Sequence, residues 1–175
     1  MKRCLASITM LPICCTTFLC PKSTYGQELI FIFAHAQYAN PLDDYFSRNY
    51  SHGFGFEVGA GIGMNRTFLM GTAGYSSFSA SSSNAYGQLT YIPLKIGIRH
   101  YLLVGKILFI QADGGVGHVQ NELVNASRFT GDIGLGVKLG PFEVIADYDG
   151  FARSDAETSG YSSWLGIKAG IRFGL

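Results

Sequence analysis

Apolar residues alternate with small or polar ones at every second position, and this alternation constrains the fold more than any other feature. The clearest stretch is 53–64, where Phe54, Phe56, Val58, Ala60, Ile62 and Met64 alternate with Gly53, Gly55, Glu57, Gly59, Gly61 and Gly63. Side chains of a β-strand point alternately to opposite faces, so the pattern predicts a strand with one apolar face. A helical stripe would need apolar residues three or four apart, and no window of useful length has one.

The same alternation recurs along the chain and predicts eight strands. They are residues 29–39, 51–63, 67–77, 88–101, 106–118, 128–139, 142–151 and 162–173. Each is close to the roughly 9–11 residues that a tilted strand needs to cross a bilayer. The first strand is apolar on both faces from Leu29 to Ala36, so the pattern does not orient it.

The connections between these strands alternate in length. Those near Asn65, near 103–105 and at 140–141 are short, whereas those at about 40–50, 78–87, 119–127 and 152–161 are longer and polar. Short periplasmic turns and long outer loops are typical of transmembrane barrels. Pro93 lies inside the fourth strand and cannot donate to a ladder, so we expect a bulge or local kink there.

The first 26 residues have a different character from the rest of the chain. Lys2 and Arg3 precede an apolar run from Leu5 to Leu19, and small or polar residues follow up to Gly26. This order is typical of a secretory signal peptide, and the run is shorter than the roughly 20 residues of a spanning helix. We expect cleavage after Gly26, with Gln27 as the alternative, so that residues 1–26 are removed and 27–175 form the barrel domain.

All four cysteines lie inside this predicted signal peptide, namely Cys4, Cys14, Cys15 and Cys20. The mature chain then has none, which excludes disulfides, thiol catalysis and cysteine metal sites. A lipid anchor on Cys20 is disfavoured because Leu19 precedes it where lipoprotein signals place a small residue. Ten basic and twelve acidic residues remain without a basic run, which argues against nucleic acid as a partner.

Three features favour an apolar face directed outward, towards lipid. The other faces are mostly glycine with isolated charges, which suits the narrow interior of eight strands. Aromatic residues near strand ends suggest interfacial girdles, and the chain finishes on a strand. The aromatic residues are Tyr38, Phe54, Tyr75, Tyr91, Tyr101, Tyr148, Phe151, Tyr161 and Trp164.

Several strand segments carry a likeness to known proteins. They are 54–61, 92–99, 139–142 and 170–173. With these segments the chain, over about residues 28–175, resembles the small outer-membrane β-barrel domain family of Gram-negative bacteria. The resemblance implies an all-β, eight-stranded antiparallel up-and-down transmembrane β-barrel in the outer membrane. It also implies that the partners are outer-membrane lipid and an assembly machinery that reads a terminal aromatic residue, here Phe173, and that the barrel is a monomer.

No catalytic, cofactor or metal site is predicted. His35, His52, His100 and His118 have no spacing that pairs them, so each is expected to be solvated or interfacial. Some small barrels modify outer-membrane lipids with His, Ser and acidic groups near the rim. Ser51 with His52, and His118 with Glu122, are the two arrangements that would serve such an enzyme, although no spacing fixes either pair.

The alternation also directs eleven charged side chains into the lumen. They are Glu57, Lys95, Arg99, Asp113, Asp132, Lys138, Glu143, Asp147, Asp149, Lys168 and Arg172. Six acids against five bases indicate a mutually paired network, since unpaired charges in a narrow bore are costly. We therefore expect a structural or surface-interaction protein that acts through long extracellular loops. The alternatives are a narrow channel for small solutes and a lipid-modifying enzyme.

Overall fold

The computed structural model describes residues 29–82, 87–102, 105–155 and 158–175. The predicted signal peptide, its cleavage site and the four cysteines lie outside the described residues. Those residues form eight strands and one short helix. The elements are β1 (Ile30–Pro41), α1 (Asp44–Asn49), β2 (Tyr50–Met64), β3 (Thr67–Ala80), β4 (Leu89–Tyr101), β5 (Leu108–Gln120), β6 (Asn125–Leu139), β7 (Phe142–Asp155) and β8 (Thr158–Gly174).

Every strand is antiparallel to the next, and β8 pairs with β1 to close the barrel. The predicted eight-stranded up-and-down barrel is therefore confirmed. Closure leaves no strand edge exposed, so all the backbone groups of the wall can pair within it. Among the described residues, no helix is long and apolar enough to cross a bilayer.

The connections define two ends of the barrel. The turn end carries 65–66, 102–107 and 140–141, and the loop end carries 42–49, 81–88, 121–124 and 156–157. The prediction of long loops at 119–127 and 152–161 is wrong. The strands β5, β6, β7 and β8 extend into these two ranges, so the connections between them are short. At the turn end, Asn65 and Gly140 have positive φ values of 58° and 64°, which these two residue types tolerate better than most.

The predicted bulge at Pro93 is absent from β4. Pairing with β3 stops at Ala73–Leu94 and resumes in the same register at Ser76–Tyr91. Proline has no N–H to give to the ladder, so the pairing is interrupted without a change of register.

The two faces of the wall differ sharply along each strand. On β8, Ile167 is 58% exposed on the outer face, whereas Lys168 is fully buried inside. On β1, which the sequence did not orient, Phe31, Phe33 and His35 point inward. The outer face is accordingly apolar and the interior holds both aromatic and charged groups.

Aromatic layers fill both ends of the interior. The loop-end layer consists of Ala39, Phe46, Tyr50, Phe78, Leu89, Tyr91, Val119, Phe151 and Trp164. The turn-end layer consists of Phe31, Phe33, Phe68, Met70, Tyr101, Phe109 and Ile145. Glycine makes room for some of these rings. Phe31 on β1 faces Gly61 on β2, and Phe109 on β5 faces Gly136 on β6. A Cβ atom at either glycine would collide with the ring.

The prediction of the aromatic girdle is wrong for some of its residues, which belong to these interior layers instead. Tyr38, Phe54, Tyr75 and Tyr148 are exposed on the outer wall, as a girdle requires. In contrast, four residues assigned to it are buried in the interior layers: Tyr91, Tyr101, Phe151 and Trp164. Aromatic residues are large enough to fill a bore of eight strands, so their position near strand ends does not by itself distinguish lumen from interface. Tyr161 is half-buried and donates its hydroxyl to the Gly131 carbonyl at 2.8 Å.

Candidate functional site

A charged layer lies between the two aromatic layers. Of the eleven residues assigned to the lumen, ten are buried there: Glu57, Lys95, Arg99, Asp113, Asp132, Glu143, Asp147, Asp149, Lys168 and Arg172. Lys138 is half-buried near the turn end, where it pairs in register with Glu143. The structure also buries polar residues that the sequence did not assign to the lumen, among them His35, Gln37 and Gln111.

Lys95 connects two neighbouring strands through their aspartates. Its Nζ forms an ion pair with Asp132 on β6 and lies 3.0 Å from Asp149 Oδ2 on β7. Asp132 and Asp149 are partners in register, so their like charges lie side by side. A buried ammonium between them lowers the repulsion that two adjacent carboxylates would otherwise have.

Lys168 forms the second such centre. Its Nζ lies 2.9 Å from Glu57 Oε2 on β2 and 3.1 Å from Asp147 Oδ2 on β7. Asp147 lies on the strand that pairs directly with β8. One lysine on β8 therefore links its sequence neighbour β7 with β2, on the other side of β1.

Arg99 forms the third centre, on the side of the turn end. Its Nη1 donates to both carboxylate oxygens of Glu143, at 3.0 and 2.9 Å, and its Nη2 donates to Gln111 Oε1 at 2.9 Å. The guanidinium also lies 4.2 Å from the centre of the Phe109 ring. Arg172 contributes nearby, with its Nε 3.6 Å from Glu143 Oε1. Glu143 is thus held by two arginines in a site that water does not reach.

His35 is placed differently from the prediction. It is buried in the charged layer, whereas the sequence predicted a solvated or interfacial histidine. Its Nδ1 lies 3.5 Å from Glu57 Oε1 and its Nε2 lies 3.2 Å from Glu143 Oε2. The imidazole therefore bridges the Lys168 centre and the Arg99 centre. Its inward position at i+2 from Phe33 would have been recognisable only if β1 could have been oriented.

The arrangement is suited to structure rather than to chemistry. Within the described residues, six buried acids face four buried bases and His35. No group of three or more metal-binding side chains there could hold a metal ion. Every basic centre touches at least one carboxylate, so the layer can stiffen the barrel and exclude water, provided its members stay paired.

The two arrangements considered for an enzyme lie outside this layer. Ser51 Oγ is 3.0 Å from His52 Nδ1, and His52 packs edge-on against Phe54 at 5.5 Å between ring centres. Within the described residues, neither an acidic partner for His52 nor a bond between His118 and Glu122 is present. The Ser51–His52 pair, as described, therefore lacks the third group that orients a catalytic histidine.

The loop end contains a cavity of about 230 Å³. It lies above the loop-end layer, between α1 and the ends of β5, β6 and β7. Its lining residues are Tyr45, Phe46, Asn49, Tyr50, Leu89, Val119, Asn121, Leu123, Val124, Arg128, Phe151, Arg153 and Ser162. Helix α1 forms one wall, and Asp43 caps the helix by accepting from Phe46 N at 3.1 Å. The sequence pattern predicted a polar loop over this segment, so α1 was not expected.

Comparison with known proteins identifies the architecture. No family model matches the chain, and no curated protein matches its sequence. Among solved structures, Neisserial surface protein A superposes with a TM-score of 0.56 at 13% identity, covering 86% of this chain and 99% of that one. The Yersinia pestis outer-membrane protein Ail, in a phospholipid bilayer nanodisc, gives 0.52 at 18% identity, covering 83% and 100%.

A third structure agrees with these two. The N-terminal β-barrel domain of Pseudomonas aeruginosa OprF gives a TM-score of 0.51 at 12% identity, covering 85% of this chain and all of that domain. Sequence identities this low show a shared fold but do not show a shared function. Together with the closed barrel and its apolar outer wall, they show that this chain has the fold of the small eight-stranded transmembrane barrels of Gram-negative outer membranes.

Proposed function

We propose that the chain is an outer-membrane barrel whose lumen is closed and which acts at the cell surface through its loop end. The observation that carries this proposal is the filling of the interior at three levels by the loop-end, charged and turn-end layers. A channel needs a continuous polar path, and two aromatic layers interrupt it. The fold, shared with outer-membrane proteins of three genera, supports the location.

Conductance distinguishes this proposal from the narrow channel. The mature protein, inserted into planar bilayers, should give no stepwise current. Phe46→Ala, which thins the loop-end layer, should also remain closed, because the turn-end layer is intact. Regular current steps from the natural sequence, at a density that follows the amount of protein inserted, would exclude the closed barrel.

Surface exposure of the loop end is tested by labelling single cysteines on intact cells. Ser82→Cys and Asn125→Cys lie at the loop end and should react with a membrane-impermeant thiol reagent. Arg66→Cys lies at the turn end and should react only after the outer membrane is opened. The reverse pattern would mean that the turn end faces outward. The protein without added cysteine is the control, since removal of residues 1–26 removes all four native cysteines.

The same preparation tests export. We propose that residues 1–26 are a signal peptide, because the basic start, the short apolar run and the following small residues have the order of one. The purified membrane form should begin at Gln27, or at Glu28 if cleavage follows Gln27. Recovery of the intact N-terminus from the outer membrane would contradict this.

A further inference from the structure

We propose that the loop-end cavity is a binding site for a small aromatic carboxylate. The inference goes beyond a general surface role, since it assigns a ligand class to one place. It depends on the shape and charge of the cavity and not on the location of the barrel, so it can be tested in detergent.

The size of the cavity fits a molecule with one ring. A dry cavity of about 150 Å³ is enough to bind benzene, and this one has about 230 Å³. Its floor and sides are apolar and aromatic, with Phe46, Leu89, Val119 and Phe151 buried beneath it. The remaining volume leaves room for a short polar group on the ring.

The polar part of the lining selects an anion. Among the residues that the structure describes, the cavity is lined by two arginines, Arg128 and Arg153, and by no Asp or Glu. Arg153 Nη1 donates to Asp43 at 3.0 Å, while its Nε is buried without a hydrogen-bond partner among the described residues. A carboxylate is the group that a guanidinium holds best, through two parallel hydrogen bonds.

The amide groups of the lining are already engaged and argue against a polyhydroxyl ligand. Asn121 Oδ1 accepts from the backbone of Leu123 at 2.9 Å and of Val124 at 2.6 Å. Its Nδ2 donates to the Tyr50 hydroxyl at 3.0 Å, and Asn49 Nδ2 donates to the Tyr45 carbonyl at 2.8 Å. A sugar needs several free donors and acceptors, whereas an aromatic acid needs an apolar slot and one cation.

The chain carries its own reporter for this site. Trp164 is the single tryptophan of the sequence. Its ring centre lies 5.8 Å from that of Phe46 and 6.1 Å from that of Phe151, both of which line the cavity. A ligand that displaces water above these rings should change the indole fluorescence.

The experiment titrates the mature barrel in a nonionic detergent with phenylacetate and, in parallel, with phenylacetamide. The two probes have the same shape and differ in charge. We expect a saturable change in Trp164 fluorescence with phenylacetate, confirmed by calorimetry, and binding of phenylacetamide weaker by about tenfold or more, because it lacks the charge-assisted hydrogen bonds. Equal binding of the two probes, or no saturable signal by either method, would overturn the proposal.

Two variants should change the affinity in opposite directions. Arg128→Gln removes one cation and should weaken phenylacetate binding by about tenfold. Asp43→Asn keeps an oxygen that can cap α1 but frees Arg153 from its carboxylate partner, and should tighten binding several-fold. Arg66→Gln, at the turn end, makes the same change of charge as Arg128→Gln and should leave the affinity unaltered.

A fourth variant tests the place of binding rather than the charge. Val124→Phe adds volume to the cavity wall and should weaken both probes together. Each variant is accepted only if it retains the heat-dependent gel shift of the natural barrel. If Arg128→Gln and Arg66→Gln weaken phenylacetate binding equally, the effect is one of net charge and the assigned site is wrong.

Discussion

Lys168 on β8 and Asp147 on β7 face each other inside the barrel with 3.1 Å between Nζ and Oδ2, and neither side chain reaches solvent. The same ammonium lies 2.9 Å from Glu57 Oε2 on β2. Two carboxylates from different strands therefore depend on one base, and the stability of the barrel should depend strongly on it.

Lys168→Met should lower the free energy of unfolding by about 3–5 kcal/mol, because it leaves buried carboxylates without their cation. Urea-induced unfolding in lipid vesicles measures this. Adding Asp147→Asn should recover part of the loss, since removing both members of a buried pair costs less than removing one. Recovery stays partial because Glu57 still lacks its lysine. Additive effects of the two changes would mean that Lys168 and Asp147 do not interact in the folded barrel.

Ile167→Arg tests the outer face. Ile167 is 58% exposed on the outer wall near the middle of β8. A charge on a lipid-facing residue at mid-bilayer costs about 2–4 kcal/mol, so folding into vesicles should be impaired. Leu123→Arg is the matched control, because Leu123 is 72% exposed but lies in the loop-end connection between β5 and β6. If both variants fold equally well, the outer wall of β8 does not face lipid.

Phe46→Ala tests the role of α1 at the loop end. The Phe46 ring packs against Phe78 at 5.1 Å and against Trp164 at 5.8 Å. Its removal should cost about 3–5 kcal/mol and move the Trp164 emission to longer wavelength as water enters. Ser47→Ala, on the exposed side of the same helix, should change neither. An unshifted emission in Phe46→Ala would show that α1 does not cover Trp164.

Gly61→Ala tests the fit of the turn-end layer. A methyl group there would collide with the Phe31 ring, and overpacking of this kind costs about 1–3 kcal/mol. The double variant Gly61→Ala with Phe31→Leu should recover part of that loss, because leucine needs less room. Gly71→Ala is the control, since a Cβ atom at Gly71 has no described atom within 4 Å. A loss of the same size at Gly71 would contradict the steric explanation.

The sequence alone predicts the barrel and the facing of β8, because polarity alternates there without interruption. On β1 it predicts no orientation. Phe31 and Phe33 point inward beside outward Ile30 and Ile32, so an apolar interior layer hides the alternation. His35 shares the face of the two phenylalanines and was lost from the predicted network for the same reason. The sequence cannot predict which face of a strand points inward wherever the residues facing the lumen are as apolar as those facing the lipid.

Two other errors have local causes. Helix α1 has six residues, too few for an apolar repeat to be visible, and its sequence signal is Asp43 as the capping residue. The loops at 119–127 and 152–161 were predicted too long because their polar residues suggest solvent. The strands there continue past the apolar band, where alternation between lipid and lumen no longer controls which residue types occur.

The pairing of Phe31 with Gly61 and of Phe109 with Gly136 has a consequence for how such a chain can evolve. Each pair occupies a fixed space, so a larger residue on one strand requires a smaller one on its neighbour. The lipid-facing wall has no such steric constraint between adjacent strands, and one apolar residue there can replace another freely. Natural variants should therefore drift fastest on the side that meets the bilayer, and should change inside only by coordinated exchanges between adjacent strands.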